Sequence, residues 1–536
     1  MLGIVVMSTS CGDFLDINKN PNAPTSSSGA KLLPSVQLAI AYGVDHSPGG
    51  LSAYASQFMQ HYSIRGNNND NQPLNNDSYV LQSWANYFTN ALPDINIVIR
   101  EETKNGNFQY VGVAQILKAY ANTVLVDMWG SVPFTDASQG AANLYPAFEQ
   151  GDHIYDEIFL LLDAGIDNIA KTDGLKPTSD DLFYGGNMDR WRKMAKTMKL
   201  RLYNQIRLTR DVSADVNALL TENDLLAAGT DDFQMRYGTS IAPDNRNPGF
   251  TSEWTEGGAR QFINPYFFEI MKSMDTFGHG GLQFGVADPR IPYYFFNQMA
   301  PGAVPQNPCS YCPVRSGTQY LSIWSFSFNI DHNEGFDQSR SKTLPGLYAV
   351  GGRYDNGLGG IGANAATLAA GRVTGPGTVP QMILTYFQRK FIEAELAAEG
   401  VTAADPRALL ILAMDAAFAK VNEVALIGNA PPISTGARDT YKTAVLTLYD
   451  AASVAGKLEI IMTQKWIANF NYGVDSWNDY RRTGFPRLHD GNTDALTITV
   501  RKFDPVASLP YPLGDLVTYP DLQQRNIYLD KVFWAK

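Results

Sequence analysis

The chain has 536 residues, 44% of them hydrophobic and 18% charged, which is the balance of a folded globular protein and not of a disordered one. Its 53 acidic against 42 basic residues leave a formal net charge of -11, which excludes nucleic acid as a partner, because no surplus of Lys and Arg is present to neutralise phosphates. No run of about twenty apolar residues occurs, so no segment reads as a membrane-spanning helix.

At the amino terminus, Met1-Leu-Gly-Ile-Val-Val-Met-Ser-Thr-Ser-Cys11 passes from apolar to small residues and then to a cysteine. That order predicts the end of a bacterial lipoprotein signal peptide over residues 1–11, with Cys11 lipidated as the first mature residue. The basic start of such a peptide is missing, so its true start is expected upstream. Residues 12–29, dense in Pro, Asn and Ser, read as a flexible tether. Residues 30–536 read as one domain, with a helical scaffold mainly at 30–228 and 380–490 and a loop-rich insertion at 229–379.

The scaffold reading rests on apolar residues at helical spacing. Such runs are Tyr110, Val113, Leu117, Tyr120, Val124 and Met128; Ile154, Ile158, Leu161, Leu162, Ile166 and Ile169; and Trp191, Met194, Met198, Leu202 and Ile206. Further along come Leu384, Phe387, Phe391, Ala394 and Ala398, then Leu458, Ile461, Ile467 and Phe470. Helices are also expected around 82–104, 406–427 and 437–455. Neighbouring segments joined by short polar turns predict helix–turn–helix pairs stacked on one another.

Between 229 and 379, Gly, Pro, Asn and aromatic residues displace the helical pattern, as in Gly351-Gly-Arg-Tyr-Asp-Asn-Gly-Leu-Gly-Gly, with a short strand expected at Tyr320–Ile330. Loops on a rigid scaffold are where binding residues sit. Trp254, Tyr320, Trp324 and Tyr354 lie there without helical spacing. Each either fills a gap under a loop or presents a ring face to the apolar C–H side of a sugar, whose hydroxyls then need polar partners. Tyr62-Ser-Ile-Arg65-Gly-Asn-Asn68 supplies such partners, so Tyr62, Arg65 and Asn68 join the candidate ligand contacts.

Enzyme signatures are sparse. There is no Gly-x-Ser-x-Gly elbow, no His-Glu-x-x-His pair and no P-loop, and the six histidines are scattered. Gly357-Leu-Gly-Gly-Ile-Gly362 follows a polar segment and not a buried strand, so it reads as a loop. Glu253 and Glu256 beside Trp254 have the residue types of a glycosidase acid and nucleophile, but solvated acidic pairs are common in an acidic protein. The Asn/Asp cluster from Asn67 to Asp77 offers hard oxygens for calcium without EF-hand spacing, and reads first as a polar surface loop. Cys309 and Cys312 are candidates for a local disulfide, since neither a βαβ setting for redox chemistry nor a second ligand pair for zinc is nearby. No catalytic residue is assigned.

Gln464-Lys-Trp-Ile-Ala-Asn-Phe470 followed by Ser476-Trp-Asn-Asp-Tyr-Arg-Arg-Thr-Gly-Phe-Pro486 resembles the carboxyl-terminal signature of the SusD-like (SusD/RagB) nutrient-binding lipoproteins, in their starch-binding-associated branch. The segments Cys11–Asn22, Leu125–Ala137 and Trp191–Arg207 resemble the same branch, so the likeness spans nearly the whole chain. One departure is Pro510-Tyr511-Pro512 with Asp515, where the family often has Arg-Tyr-Pro followed by Glu and Asn. The resemblance implies a mainly α fold, a scaffold of four tetratricopeptide-like helix pairs, and an irregular half that carries the ligand site. It implies structural roles for Trp466 and Trp477. It also implies a non-enzymatic subunit, lipid-anchored to the outer membrane and facing the exterior. Such a subunit captures oligosaccharide or polysaccharide fragments and delivers them to a SusC-like TonB-dependent β-barrel. A peptide-binding RagB-like subunit and a surface glycoside hydrolase are the alternatives.

Overall fold

A computed structural model describes residues 27–47, 49–64, 78–139, 143–255, 261–276, 278–302, 320–322, 342–359, 375–490, 505–519 and 521–536. The amino-terminal half is helical: α1 (Gly29–Gly43), α2 (Leu51–Phe58), α3 (Ser78–Ala85), α4 (Leu92–Asn105), α5 (Phe108–Trp129), α6 (Gly151–Ile169), α7 (Met188–Ile206) and α8 (Ser213–Glu222). A π-helical segment, Asn86–Ala91, joins α3 to α4. Helices return as α13 (Tyr386–Ala398), α14 (Pro406–Ile427), α15 (Thr435–Ala451), α16 (Val454–Ala468), α17 (Gly473–Thr483) and the short α18 (Leu513–Thr518).

The expected helix pairing is present. α5 packs on α6 and on α4, and α13 on α14. α6 is one-sided: Ile154, Ile158, Leu162 and Ile169 are buried, whereas Leu160 is 60% exposed. α5 is buried almost all round because helices flank it on both sides. Two glycines set the α5–α6 crossing, since a Cβ on Gly112 would stand 2.6 Å from the Gly165 carbonyl oxygen. The tryptophans read as core from the sequence, Trp84, Trp129, Trp191, Trp466 and Trp477, are all buried.

α7 and α13 join the two halves of the scaffold through buried charge. Glu395 accepts both Nε and Nη2 of Arg482 at 2.8 Å and Asn204 Nδ2 at 3.0 Å, and Arg207 lies 3.0 Å away. Asp479 in turn pairs with Arg482 (2.6 Å) and Lys465 (2.8 Å). Burial alone would raise the Glu395 pKa, but Arg482, Arg207 and Lys465 outweigh it and hold the carboxylate well below the usual range.

The stretch 229–379 is less irregular than its composition suggests. It contains α9 (Pro248–Phe250), α10 (Pro265–Lys272), α11 (Ile291–Tyr294) and α12 (Leu347–Val350). Four antiparallel ladders are described: β1 (Tyr62–Ile64) with β5 (Gln261–Ile263), β2 (Val132–Pro133) with β3 (Phe148–Glu149), β4 (Phe233–Met235) with β8 (Gln381–Leu384), and β6 (Phe295–Phe296) with β7 (Leu344–Pro345). In α10, Asn264 caps the helix by accepting from Tyr266 N, and Tyr266, Phe267, Phe268, Ile270 and Met271 are all buried. The Phe267 ring lies 4.8 Å from Phe470 and 4.9 Å from Trp466, so an aromatic cluster anchors this region on the scaffold. Leu384, read from its spacing as helical, ends β8 instead. Thr385 then starts α13 with a reciprocal cap: its hydroxyl accepts from Gln388 N, and Gln388 Oε1 accepts from Thr385 N. Of the expected strand at 320–330, only Tyr320–Ser322 are described, and Leu321 bonds Thr343 there.

Candidate functional site

Among the described ring-bearing candidates, Tyr354 is the one that the structure leaves half-buried at a surface turn. Behind α12, Gly351 adopts φ +79°, a conformation that favours glycine, and the chain turns through Arg353, Tyr354, Asp355 and Asn356 to Gly357. Asp355 fixes the turn: its Oδ2 accepts from Asn297 N (3.0 Å) and Asn297 Nδ2 (2.8 Å), and its Oδ1 accepts from Gly357 N (2.8 Å). Asn356 Oδ1 accepts from Leu358 N at 3.0 Å, and its amide nitrogen makes no hydrogen bond among the described residues. The Tyr354 ring leans on Tyr293 at 4.9 Å, and its hydroxyl makes no hydrogen bond among the described residues. Burial, then the Asp355 charge, raises its pKa, so the phenol stays a protonated donor. The Arg353 guanidinium lies over Phe296 at 5.0 Å and forms no ion pair among the described residues. A ring face, an open hydroxyl, an unpaired guanidinium and a free amide thus converge on one turn.

Three expected ligand contacts are corrected by their surroundings. Trp254 is 0% exposed. Its Nε1 donates to Pro345 O at 2.9 Å, and Phe250 and Phe296 flank its ring. A Cβ on Gly352 would stand 2.5 Å from the indole, so Trp254 supports the Tyr354 turn from beneath. Tyr320 stacks on Phe268 at 3.8 Å and donates to Ile263 O at 2.6 Å. Tyr62 is held between His46 (4.4 Å) and Phe470 (5.2 Å), with its hydroxyl on Asn471 Oδ1. A large ring with both faces covered and its polar atom satisfied is core. Trp324, Arg65 and Asn68 lie outside the described residues, as do Cys11, Cys309, Cys312, Glu256 and the Asn67–Asp77 cluster. Glu253 is buried and accepts from Gln261 N at 3.3 Å.

The sequence reading missed Arg353, Asp355 and Asn297 as site residues. The signal was the Arg-Tyr-Asp-Asn run itself, three polar side chains around one ring. It also treated His279 as isolated. In the fold, His279 Nε2 lies 3.1 Å from Glu269 Oε2 and 3.6 Å from Asp275 Oδ1, a trio whose ligand atoms stand within 4.8 Å of one another. The same Nε2 already contacts Met274 O (3.0 Å), and Nδ1 accepts from Gly281 N (2.9 Å), so the imidazole is internally satisfied.

A family profile described as SusD-like, starch-binding and associating with the outer membrane matches residues 21–505. No curated protein matches the sequence. Among solved structures, the fold is similar to a chitin-binding protein, with TM-score 0.69 and 20% identity over 95% of this chain and 100% of that one. It is similar to a SusD/RagB family protein from Bacteroides thetaiotaomicron, with TM-score 0.68 and 19% identity over 95% and 99% of the two chains. It is also similar to a SusD homolog from Parabacteroides distasonis, with TM-score 0.67 and 20% identity over 95% and 98%. At these identities the likeness is one of fold. No helix among the described residues is long and apolar enough to cross a membrane.

Proposed function

Since the chain belongs to the SusD-like family of starch-binding proteins that associate with the outer membrane, we propose that it is a cell-surface glycan-binding lipoprotein that hands oligosaccharides to a SusC-like TonB-dependent β-barrel. The observation that carries the glycan reading is the Tyr354 turn, where a half-buried ring stands beside the unpaired Arg353 and the open Asn356 amide. Sugar binding needs that combination, because the ring takes the C–H face and the polar groups take the hydroxyls. The similar fold of a chitin-binding protein supports the same ligand class. Trp324, Arg65 and Asn68 complete the proposed contacts, and Cys11 carries the proposed lipid anchor.

Capture and release require no bond cleavage. A shallow stacking site gives affinities of roughly micromolar to millimolar, which suits a subunit that must pass its cargo on. Isothermal titration against malto- and chito-oligosaccharides and a set of oligopeptides tests the reading. Saccharide binding is expected, weakened about five- to tenfold by Tyr354→Ala, in line with about 1 kcal/mol for one stacked ring. Binding to peptides alone would replace the glycan reading with the peptide-binding one. Saccharide binding untouched by Tyr354→Ala would remove this turn as the site.

A further inference from the structure

The corner between α1 and α2 buries two ionisable side chains, Asp45 and His46, at 2% and 3% exposure. Asp45 Oδ1 accepts from Ser47 N (2.9 Å) and Ser47 Oγ (2.6 Å), whereas Oδ2 has no partner. Asp45 forms no ion pair, and no cation acts on it. Burial, opposed only by the Ser47 hydrogen bonds, pushes its pKa up to about 7. The His46 ring packs against Tyr62 at 4.4 Å, and neither ring nitrogen completes a hydrogen bond, although the Gln261 side chain comes near enough to act on it. Burial pulls its pKa down to about 3, so the ring is neutral and keeps a lone pair on one nitrogen.

Both residues line one cavity of about 10 Å3, together with Asn247, Gln381, Asn471 and Tyr472. Asn247 Oδ1 accepts from Gly249 N (2.9 Å), Asn471 Oδ1 from the Tyr62 hydroxyl (3.2 Å) and Gln381 Oε1 from the Tyr237 hydroxyl (2.9 Å). Each amide oxygen therefore keeps a second lone pair. The space holds one water or one ion and excludes a sugar or a peptide. A water would answer the unpartnered atoms but not the carboxylate's charge, whereas a cation answers both.

We propose that this cavity holds one divalent metal ion, bound by Asp45 Oδ2 and one His46 ring nitrogen, with amide oxygens of Asn247, Gln381 or Asn471 completing the set. A carboxylate, an imidazole and amide oxygens without a thiolate suit an ion such as manganese(II). The ion would tie the α1–α2 corner to segments about 200, 335 and 425 residues further along the chain, as a structural clamp. The Glu269–Asp275–His279 trio differs, because His279 Nδ1 accepts from Gly281 N, which places the proton on Nε2 and leaves that nitrogen no lone pair for a metal. The Asp45 site stands whether or not the Tyr354 turn binds sugar.

Titration of the full, chelator-stripped chain with Mn2+, followed by the paramagnetic resonance signal of the free ion and by the melting temperature, tests it. One ion taken up per chain and a raised melting temperature are expected. Uptake should strengthen from pH 6 to pH 8, because the ion displaces the Asp45 proton. Asp45→Asn keeps the side chain's shape, so a metal-free melting temperature at pH 8 no lower than the native one is expected. In that variant uptake should weaken at least about tenfold, since losing an outer partner of a ligand alone costs roughly 10–100-fold. His46→Gln should weaken uptake likewise, and Asp275→Asn should leave it intact. No uptake by the native chain, uptake indifferent to Asp45→Asn, or uptake lost in Asp275→Asn would each overturn the proposal.

Discussion

Glu395 is fully buried, yet Arg482, Arg207 and Lys465 keep it ionised, and this ties stability to acid. Its folded pKa lies below the ordinary 4.5, so the unfolded chain binds the proton first. The stability it contributes is fully present above about pH 4.5 and is lost as pH falls below that value. Glu395→Gln leaves the surrounding cations buried without their carboxylate, at a cost of about 3–5 kcal/mol at pH 7. Urea unfolding at pH 7 and pH 3 should show the gap between native and variant narrowing in acid. An unchanged gap would mean that the fold does not lower the Glu395 pKa, and a gap that widens in acid would mean that the fold holds it neutral. At this scale the sequence was a partial guide to the site. Residue type and an irregular setting singled out Trp254, Tyr320 and Tyr354 alike, but the atoms that separate them are remote in the chain. Trp254 finds its acceptor at Pro345, and Tyr320 finds its acceptor at Ile263.

Among the helices, spacing revealed those whose apolar stripe is long, such as α5, α6 and α7. It missed α10, because eight residues set among Gly, Pro and Asn give too short a window, and because α10 is held by packing against Trp466 and Phe470 more than by helical propensity. The start of α13 was also misread. Its apolar period runs back through Leu384, but the Thr385 cap decides the boundary. Thr385→Ala should cost about 1–2 kcal/mol in urea unfolding and leave ligand titrations unchanged. A loss of binding at full stability would mean that this junction does more than start a helix.

Across the described residues, three of the segments that carried the family resemblance, Leu125–Ala137, Trp191–Arg207 and Gln464–Pro486, meet one another through Asn478 on Asp127 and Arg482 on Gln205. Asn478 and Trp534 donate to Asp127, Trp477 Nε1 to Val506 O, and Trp129 Nε1 to Pro510 O. Tyr511, inside the departure Pro510-Tyr511-Pro512, is buried and donates to Ser131 O, so the altered terminus is still packed. The family was legible because its signature residues build this shared interior. The ligand was not, because the proposed ligand contacts fall on turns with no period. The proposed lipid anchor belongs to this scale too. Cys11→Ser is expected to move the protein from the membrane fraction to the soluble fraction and to abolish incorporation of labelled palmitate. Membrane retention without label would assign the anchoring to another part of the chain.

The three donors that satisfy Asp127 come from 28, 351 and 407 residues further along the chain. At about 5–20 residues per second of synthesis, roughly 20–80 s pass between the making of Asp127 and of Trp534. Throughout that interval the acid has no complete interior to enter, and water is its best partner. The hub around Asp127 can therefore close only after Trp534 has been made, so the amino-terminal helices by themselves are expected to lack it.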